Sequence, residues 1–156
     1  METVTLDSLL RNYSLFRDLD QDYLKLLSEC ASNVRFVARE MIFRQGESAD
    51  QCYLIRHGRV SVEIYSPHQG PVIIQTLGQG EVLGWSWLFP PYKWHFDARA
   101  LELTRVIALD GVCLRGKCDQ DPKLGYELMK RFSAVMHERM HAARLQIMDV
   151  YGPTSA

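Results

Sequence analysis

Four glycines, Gly46, Gly58, Gly70 and Gly80, stand ten to twelve residues apart and cut the middle of the chain into strand-length pieces. The pieces at residues 34–44, 51–56 and 72–77 are rich in β-branched and aromatic residues. Val60, Val62 and Ile64 alternate with Ser61 and Glu63, which predicts a half-buried strand. Leu101, Leu103, Ile107 and Leu109 are expected on one face of a last strand. Gly46, Gly58 and Gly80 fall at turns, where a positive φ is cheap only for glycine. Short strands joined by so many tight turns close into a small antiparallel barrel or roll.

Helical patterns flank this region. Residues 6–13 and 20–31 read as two short helices, with Asp20 capping the second and Leu24, Leu27 and Cys30 at helical spacing. Residues 112–118 can form a short helix, and Asp121-Pro122 reads as the start of another. Nothing but a tolerable Gly125 interrupts the chain from there to Tyr151, and Gly152-Pro153 supplies a stop. Such a helix is roughly 45 Å long and outreaches the roll. Met129, Phe132, Met136, Met140, Ala143, Ile147 and Val150 form a stripe along it. The first turns are expected to pack on the roll, and the part from about Met140 onward to form a homodimer seam.

At 156 residues and 47% hydrophobic, the chain suits one domain with a sizeable core. The expected division is 1–33 for the N-terminal helices, 34–110 for the roll and 111–152 for the C-terminal helices. A formal net charge of −1 offers no long-range attraction for nucleic acid. No apolar run approaches a membrane span, and the N-terminus lacks the plan of a secretory signal. Cys30, Cys52, Cys113 and Cys118 are scattered, so reduced thiols in a cytoplasmic protein are expected.

All three tryptophans lie in residues 80–100, GEVLGWSWLFPPYKWHFDARA. The stretch reads as a strand bending at Gly84 into a Trp/Ser/Leu turn, a break at Pro90-Pro91, and a return strand at Ala98. Such a cassette can hold an anion on the unpaired N–H groups of the turn, with Gly84 letting the backbone come close.

The order and spacing of several motifs carry a family resemblance. They are Leu15-Phe16 with Leu19; Ile42-Phe43-Arg44-Gln45-Gly46-Glu47; Ala49-Asp50; Tyr53-Leu54-Ile55 with Gly58 and Val60; Gly80-Glu81 with Gly84; and Ala98-Arg99-Ala100. Together they resemble the cyclic-nucleotide-binding domain of the catabolite activator protein and of the regulatory subunits of cyclic-AMP-dependent kinase. The resemblance implies an α+β, mainly β fold: an eight-stranded antiparallel β-roll, jelly-roll-like, with short N-terminal helices and a long C-terminal helix. It also implies a non-enzymatic regulatory or sensor module in signal transduction.

Two departures stand out. In ligand-binding members a Glu holds the ribose and an Arg pairs with the cyclic phosphate. Those positions here are Trp85 and Trp94, followed by His95, Phe96 and Asp97. Loss of two charged hydrogen bonds costs on the order of 3–6 kcal/mol, about 10² to 10⁴ in affinity. Ordinary cyclic-AMP binding is therefore not expected. Lys93 and His95 could supply positive charge, Ser86 and the turn N–H groups could donate, and Trp85, Trp87 and Trp94 could stack a base. Alternatively the rings fill the pocket as core. Arg99 is expected to face outward on its strand.

His137-Glu138-Arg139-Met140-His141 matches the HExxH spacing of zinc hydrolases. The match is weak, because only Asp149 follows as a nearby third ligand and both histidines lean away from the apolar stripe. In the catabolite activator family a winged helix-turn-helix follows the long helix. Thr154-Ser155-Ala156 cannot hold one, so direct DNA binding is not expected. Two readings remain: a dimeric sensor with an altered cassette, or a ligand-free interaction module docking through Pro90-Pro91-Tyr92 or the distal helix.

Overall fold

Asp20 and Asp121 start helices where the sequence places them. The structure, a computed structural model, describes residues 5–151, with side chains described to residue 149. Helix α1 (Leu6–Arg11) is capped by Thr5 and α2 (Gln21–Ser28) by Asp20, whose Oδ1 accepts from the Asp22 N–H at 2.9 Å. Asp110 caps α3 (Gly111–Gln120) through the Cys113 N–H. Asp121 accepts from the N–H groups of Lys123 and Leu124 and so starts α4 (Pro122–Tyr151), 30 residues long. The Gly152-Pro153 stop lies outside the described residues.

Between the helices, eight antiparallel strands form two four-stranded sheets. They are β1 (Ala31–Phe36), β2 (Met41–Phe43), β3 (Gln51–His57), β4 (Val60–Ser66), β5 (Gly70–Leu77), β6 (Val82–Leu83), β7 (Asp97–Ala100) and β8 (Thr104–Asp110). One sheet has the order β1-β8-β3-β6 and the other β2-β7-β4-β5. This is the expected α+β roll. The expected strand region at 34–44 divides between the two sheets, with Arg39 at φ 75° where the chain turns from one to the other.

Strands β3 and β8 are buried on both faces. Tyr53, Ile55, Val106 and Ala108 point into the roll, against Phe43, Val60, Val62, Leu77, Leu83 and Trp94. Cys52, Leu54, Ile107 and Leu109 point to the helices, against Leu10, Phe16, Leu24, Leu27, Leu114, Leu124, Leu128 and Phe132. The continuous apolar runs CYLI and VIAL are the sequence signature of a strand covered on both sides. The first turns of α4 pack here, as expected of them. Arg131 also ties α4 to the N-terminal segment, donating to the carbonyls of Leu15 and Arg17.

Four local expectations are corrected. Leu101 and Leu103 belong to the bend between β7 and β8, and Leu103 is exposed; only Ile107 and Leu109 share the buried face. Ile64 is 44% exposed, because β7 pairs with β4 only from Val60 to Glu63 and the β4–β5 hairpin projects beyond it. Ser61 and Glu63 are buried although they lie on the polar side of β4. The Glu63 carboxylate accepts from Ser61 Oγ at 2.7 Å and Arg99 Nε at 3.1 Å, so Arg99 covers it from the outer face. Finally, Cys30 and Cys113 form a disulfide, with Cα atoms 5.7 Å apart, in place of two reduced thiols. Pairing of Ala31 with Leu109, and the Asp110 N–H bonding the Cys30 carbonyl, bring the two cysteines together.

Cys52 and Cys118 are free. Burial pushes the Cys52 thiol up to about 12, which makes it a poor nucleophile in the folded state. The disulfide closes a loop with a sequence separation of 83, so its reduction is expected to lower stability by about 2–4 kcal/mol. Urea unfolding with and without reductant measures this. Thiol titration of denatured, unreduced protein then finds only the two free cysteines.

Candidate ligand pocket

The three tryptophans of the cassette go three different ways. Trp94 turns into the roll and is 3% exposed. Its ring stacks on Phe43 with centroids 3.7 Å apart and planes 6° from parallel. It lies so close to Gly84 that a Cβ on that residue would stand 2.5 Å from its Cη2. Gly84 has φ 97°, so both its backbone and its missing side chain suit this contact. The close approach that Gly84 permits is therefore made by an indole of the chain itself.

Trp87 turns the other way. It is fully buried, meets Phe132 of α4 edge-on at 5.3 Å, and lies against Gly111 at the start of α3. Phe132, expected in the helix stripe, is thus part of this chain's own core. The 3-10 turn Ser86–Leu88 carries Trp87 and buries Ser86. Arg115 of α3 donates to the Trp87 carbonyl at 2.6 Å and lies 3.9 Å from the centre of the Tyr92 ring.

Trp85 alone of the three faces a cavity. This space, about 920 Å³, lies between α4 and the β4–β5 hairpin. Its wall is mostly apolar: Val62, Val72 and Ile74 from the hairpin, Trp85 and Phe96 from the cassette, and Met136, Met140, Ala143 and Ile147 from α4. Gln75, Gln146 and Arg139 supply the polar atoms. Arg139 lies 5.1 Å from the Trp85 ring centre and donates to the Val82 carbonyl. It makes no ion pair among the described residues. Burial lowers its pKa from the usual arginine value, an effect that Glu81 partly offsets.

The other nominated residues lie outside this cavity. Lys93 and His95 are exposed, and Lys93 reaches Ser48 at 3.5 Å. Asp97 accepts from the Gln45 N–H at 2.7 Å and so fastens the turn after β2. The loop before it is zipped to that turn: the Gly46 N–H bonds the Trp94 carbonyl, the Trp94 N–H the Glu47 carbonyl, and the Ala49 N–H the Tyr92 carbonyl. His137 and His141 are exposed on α4, and no group of three metal-binding side chains converges among the described residues. Sequence reasoning missed Arg139 and Phe96 as pocket residues. Arg139 did carry a signal, as a cation one turn from Met136 and Ala143 near the apolar stripe.

Residues 33–121 match the cyclic nucleotide-binding domain, and the chain belongs to that family. Over 145 residues, 93% of this chain, it is 21% identical to the CRP-like cAMP-activated global transcriptional regulator of Mycobacterium tuberculosis. It spans 63% of that protein's length. The structure of a cyclic nucleotide-binding protein from Geobacter metallireducens GS-15 superposes with a TM-score of 0.78 and 28% identity, covering 89% of this chain and all of that one. A cyclic nucleotide-binding domain from Methylobacillus flagellatus KT has the same fold, with a TM-score of 0.80 and 18% identity over 97% of this chain and 85% of its own. Among the described residues no helix is long and apolar enough to cross a membrane.

Trp94→Ala is expected to empty the roll interior and destabilise the protein by about 3–5 kcal/mol. Gly84→Ala should also destabilise it, by forcing the Trp94 ring off Phe43. Thermal melts and near-ultraviolet circular dichroism of both variants measure this. A Trp94→Ala protein as stable as the parent would mean that the ring is not packed as described.

Proposed function

We propose that residues 1–156 work as one regulatory module of the cyclic nucleotide-binding domain family whose cassette is closed by its own Trp94 and does not take cyclic AMP in the usual way. The observation that carries this reading is the Trp94 ring seated on Gly84 and Phe43. The resemblance puts the phosphate-pairing Arg at position 94, and here an apolar ring takes that place. Trp85, at the ribose-holding position, offers a ring face and no carboxylate. Lys93 and His95 point to solvent and do not restore the lost charge. Calorimetric titration with cyclic AMP and cyclic GMP is expected to give no tight, stoichiometric heat. Such a heat would overturn the reading.

The module's output runs through its C-terminal helix, as a homodimer or on a partner protein. Met129, Met140 and Ile147 are 41%, 55% and 58% exposed along one side of α4, which supports a seam between two copies. The side chain of Val150 lies outside the described residues. The net charge of −1 favours protein contacts over direct DNA binding. Light scattering of the protein and of a Met140→Glu/Ile147→Glu variant checks the seam. The expected result is a dimer that the double substitution turns into monomers, and an unchanged mass would dismiss this face.

A further inference from the structure

The register of three strands sets like charges side by side on the outside of the roll. Val34 and Val106 pack on its interior, so their neighbours Arg35 and Arg105 point outward, and these two stand directly opposite each other. On its other side Arg105 stands opposite His57 of β3. Adjacent strands lie about 4.8 Å apart, so the three residues form one basic row across β1, β8 and β3. Directly opposed like charges destabilise a sheet. The register of β3 slips between Ile55 and His57, with Arg56 as the extra residue. Arg56 reaches across β8 to donate to Asn33 Oδ1 at 3.2 Å, and so brings a third guanidinium to the row. None of the three arginines joins an ion pair among the described residues. The acidic side chains of the flanking segments are committed elsewhere: Glu102 to Arg59, Asp110 to the Cys113 N–H, and Asp7 to Gln21. A pocket of about 210 Å³ adjoins the row between α1 and β3, with Asn12, Tyr13, Arg56, His57 and Gln79 in its wall. Tyr13 is 7% exposed, and its hydroxyl makes no hydrogen bond among the described residues. Burial pushes its pKa up to about 12, against the opposing effect of Arg56, so the group stays protonated and able to donate.

The geometry points to a site for a small phosphomonoester, its phosphate resting on Arg35, Arg56 and Arg105 and a short polyol body entering the pocket beside Tyr13. Planar guanidinium forks match phosphate oxygens in pairs, and a dianion between them offsets the repulsion of the opposed arginines. The pocket is smaller than most small-molecule sites, which limits the body to a few carbons. The amides of Asn12 and Gln79 and the Tyr13 hydroxyl suit hydroxyl groups better than an apolar chain. No residue of this site lines the cavity between α4 and the β4–β5 hairpin, so the inference does not depend on the state of the cassette.

The full chain is titrated by calorimetry with glycerol 3-phosphate, with inorganic phosphate and glycerol as controls. Glycerol 3-phosphate is expected to bind once per chain and inorganic phosphate more weakly, while glycerol gives no saturable heat. Arg105 is exposed, and Arg105→Gln should weaken both phosphate compounds at least about tenfold. The same substitution should leave the melting temperature unchanged or raise it, because it removes one of two opposed charges. Tyr13→Phe should weaken glycerol 3-phosphate about threefold or more and leave inorganic phosphate unaffected. No saturable heat from either phosphate compound would overturn the site, and so would an affinity that survives Arg105→Gln. Inorganic phosphate binding as tightly as the monoester, or a Tyr13→Phe protein that binds both as the parent does, would overturn the placing of the body in the pocket.

Discussion

The contact of the Trp94 ring with Gly84 and Phe43 organises the rest of the site. An indole stacked at 3.7 Å on a phenyl ring, with a backbone Cα beneath it, leaves no space for another planar group. Its own backbone is equally committed, since the Trp94 N–H and carbonyl hold the turn at Gly46 and Glu47. The backbone that carries the ring is thus fixed, and the ring itself is held by its packing on Phe43 and Gly84. The open volume lies between the hairpin, the cassette and α4, with Val62 and Phe96 at its edge on the roll side.

A second constraint couples that site to the helices. Strands β3 and β8 are packed on both faces, so the roll and the helical layer share a rigid partition. The Ser86–Leu88 turn reaches across it, with Trp87 against Phe132 and its carbonyl held by Arg115. Arg139 bonds the Val82 carbonyl just before the turn. Helices α3 and α4 therefore each grip the cassette by a hydrogen bond and an aromatic contact. The distal part of α4 lies beyond these grips.

Much of the architecture was legible because its signals are local. Asp20 and Asp121 capped helices where they were expected, and the glycine turns delimited strands. The pattern failed where neighbours decide burial. Ile64 alternates correctly yet is exposed, because β7 is too short to cover it. Ser61 and Glu63 look solvated yet are buried under Arg99. The Cys30–Cys113 pair has no spacing signature, since strand pairing and not chain proximity joins it. The site was half legible. Residues 80–100 were singled out, but of the eight cassette residues nominated there only Trp85 lines the cavity.

By itself the sequence determined the order of elements and the family, and it puts tryptophan at positions 85 and 94. These follow from propensity, capping and residue identity, which act over a few neighbours. Only the tertiary structure decided that Trp94 closes the roll, that Trp87 locks the helices, and that Trp85 and Arg139 are left facing a shared space. Three identical side chains within ten residues carry no mark of their separate fates. Each indole goes where partners distant in sequence leave room for it, and that room exists only once the sheets and helices have packed.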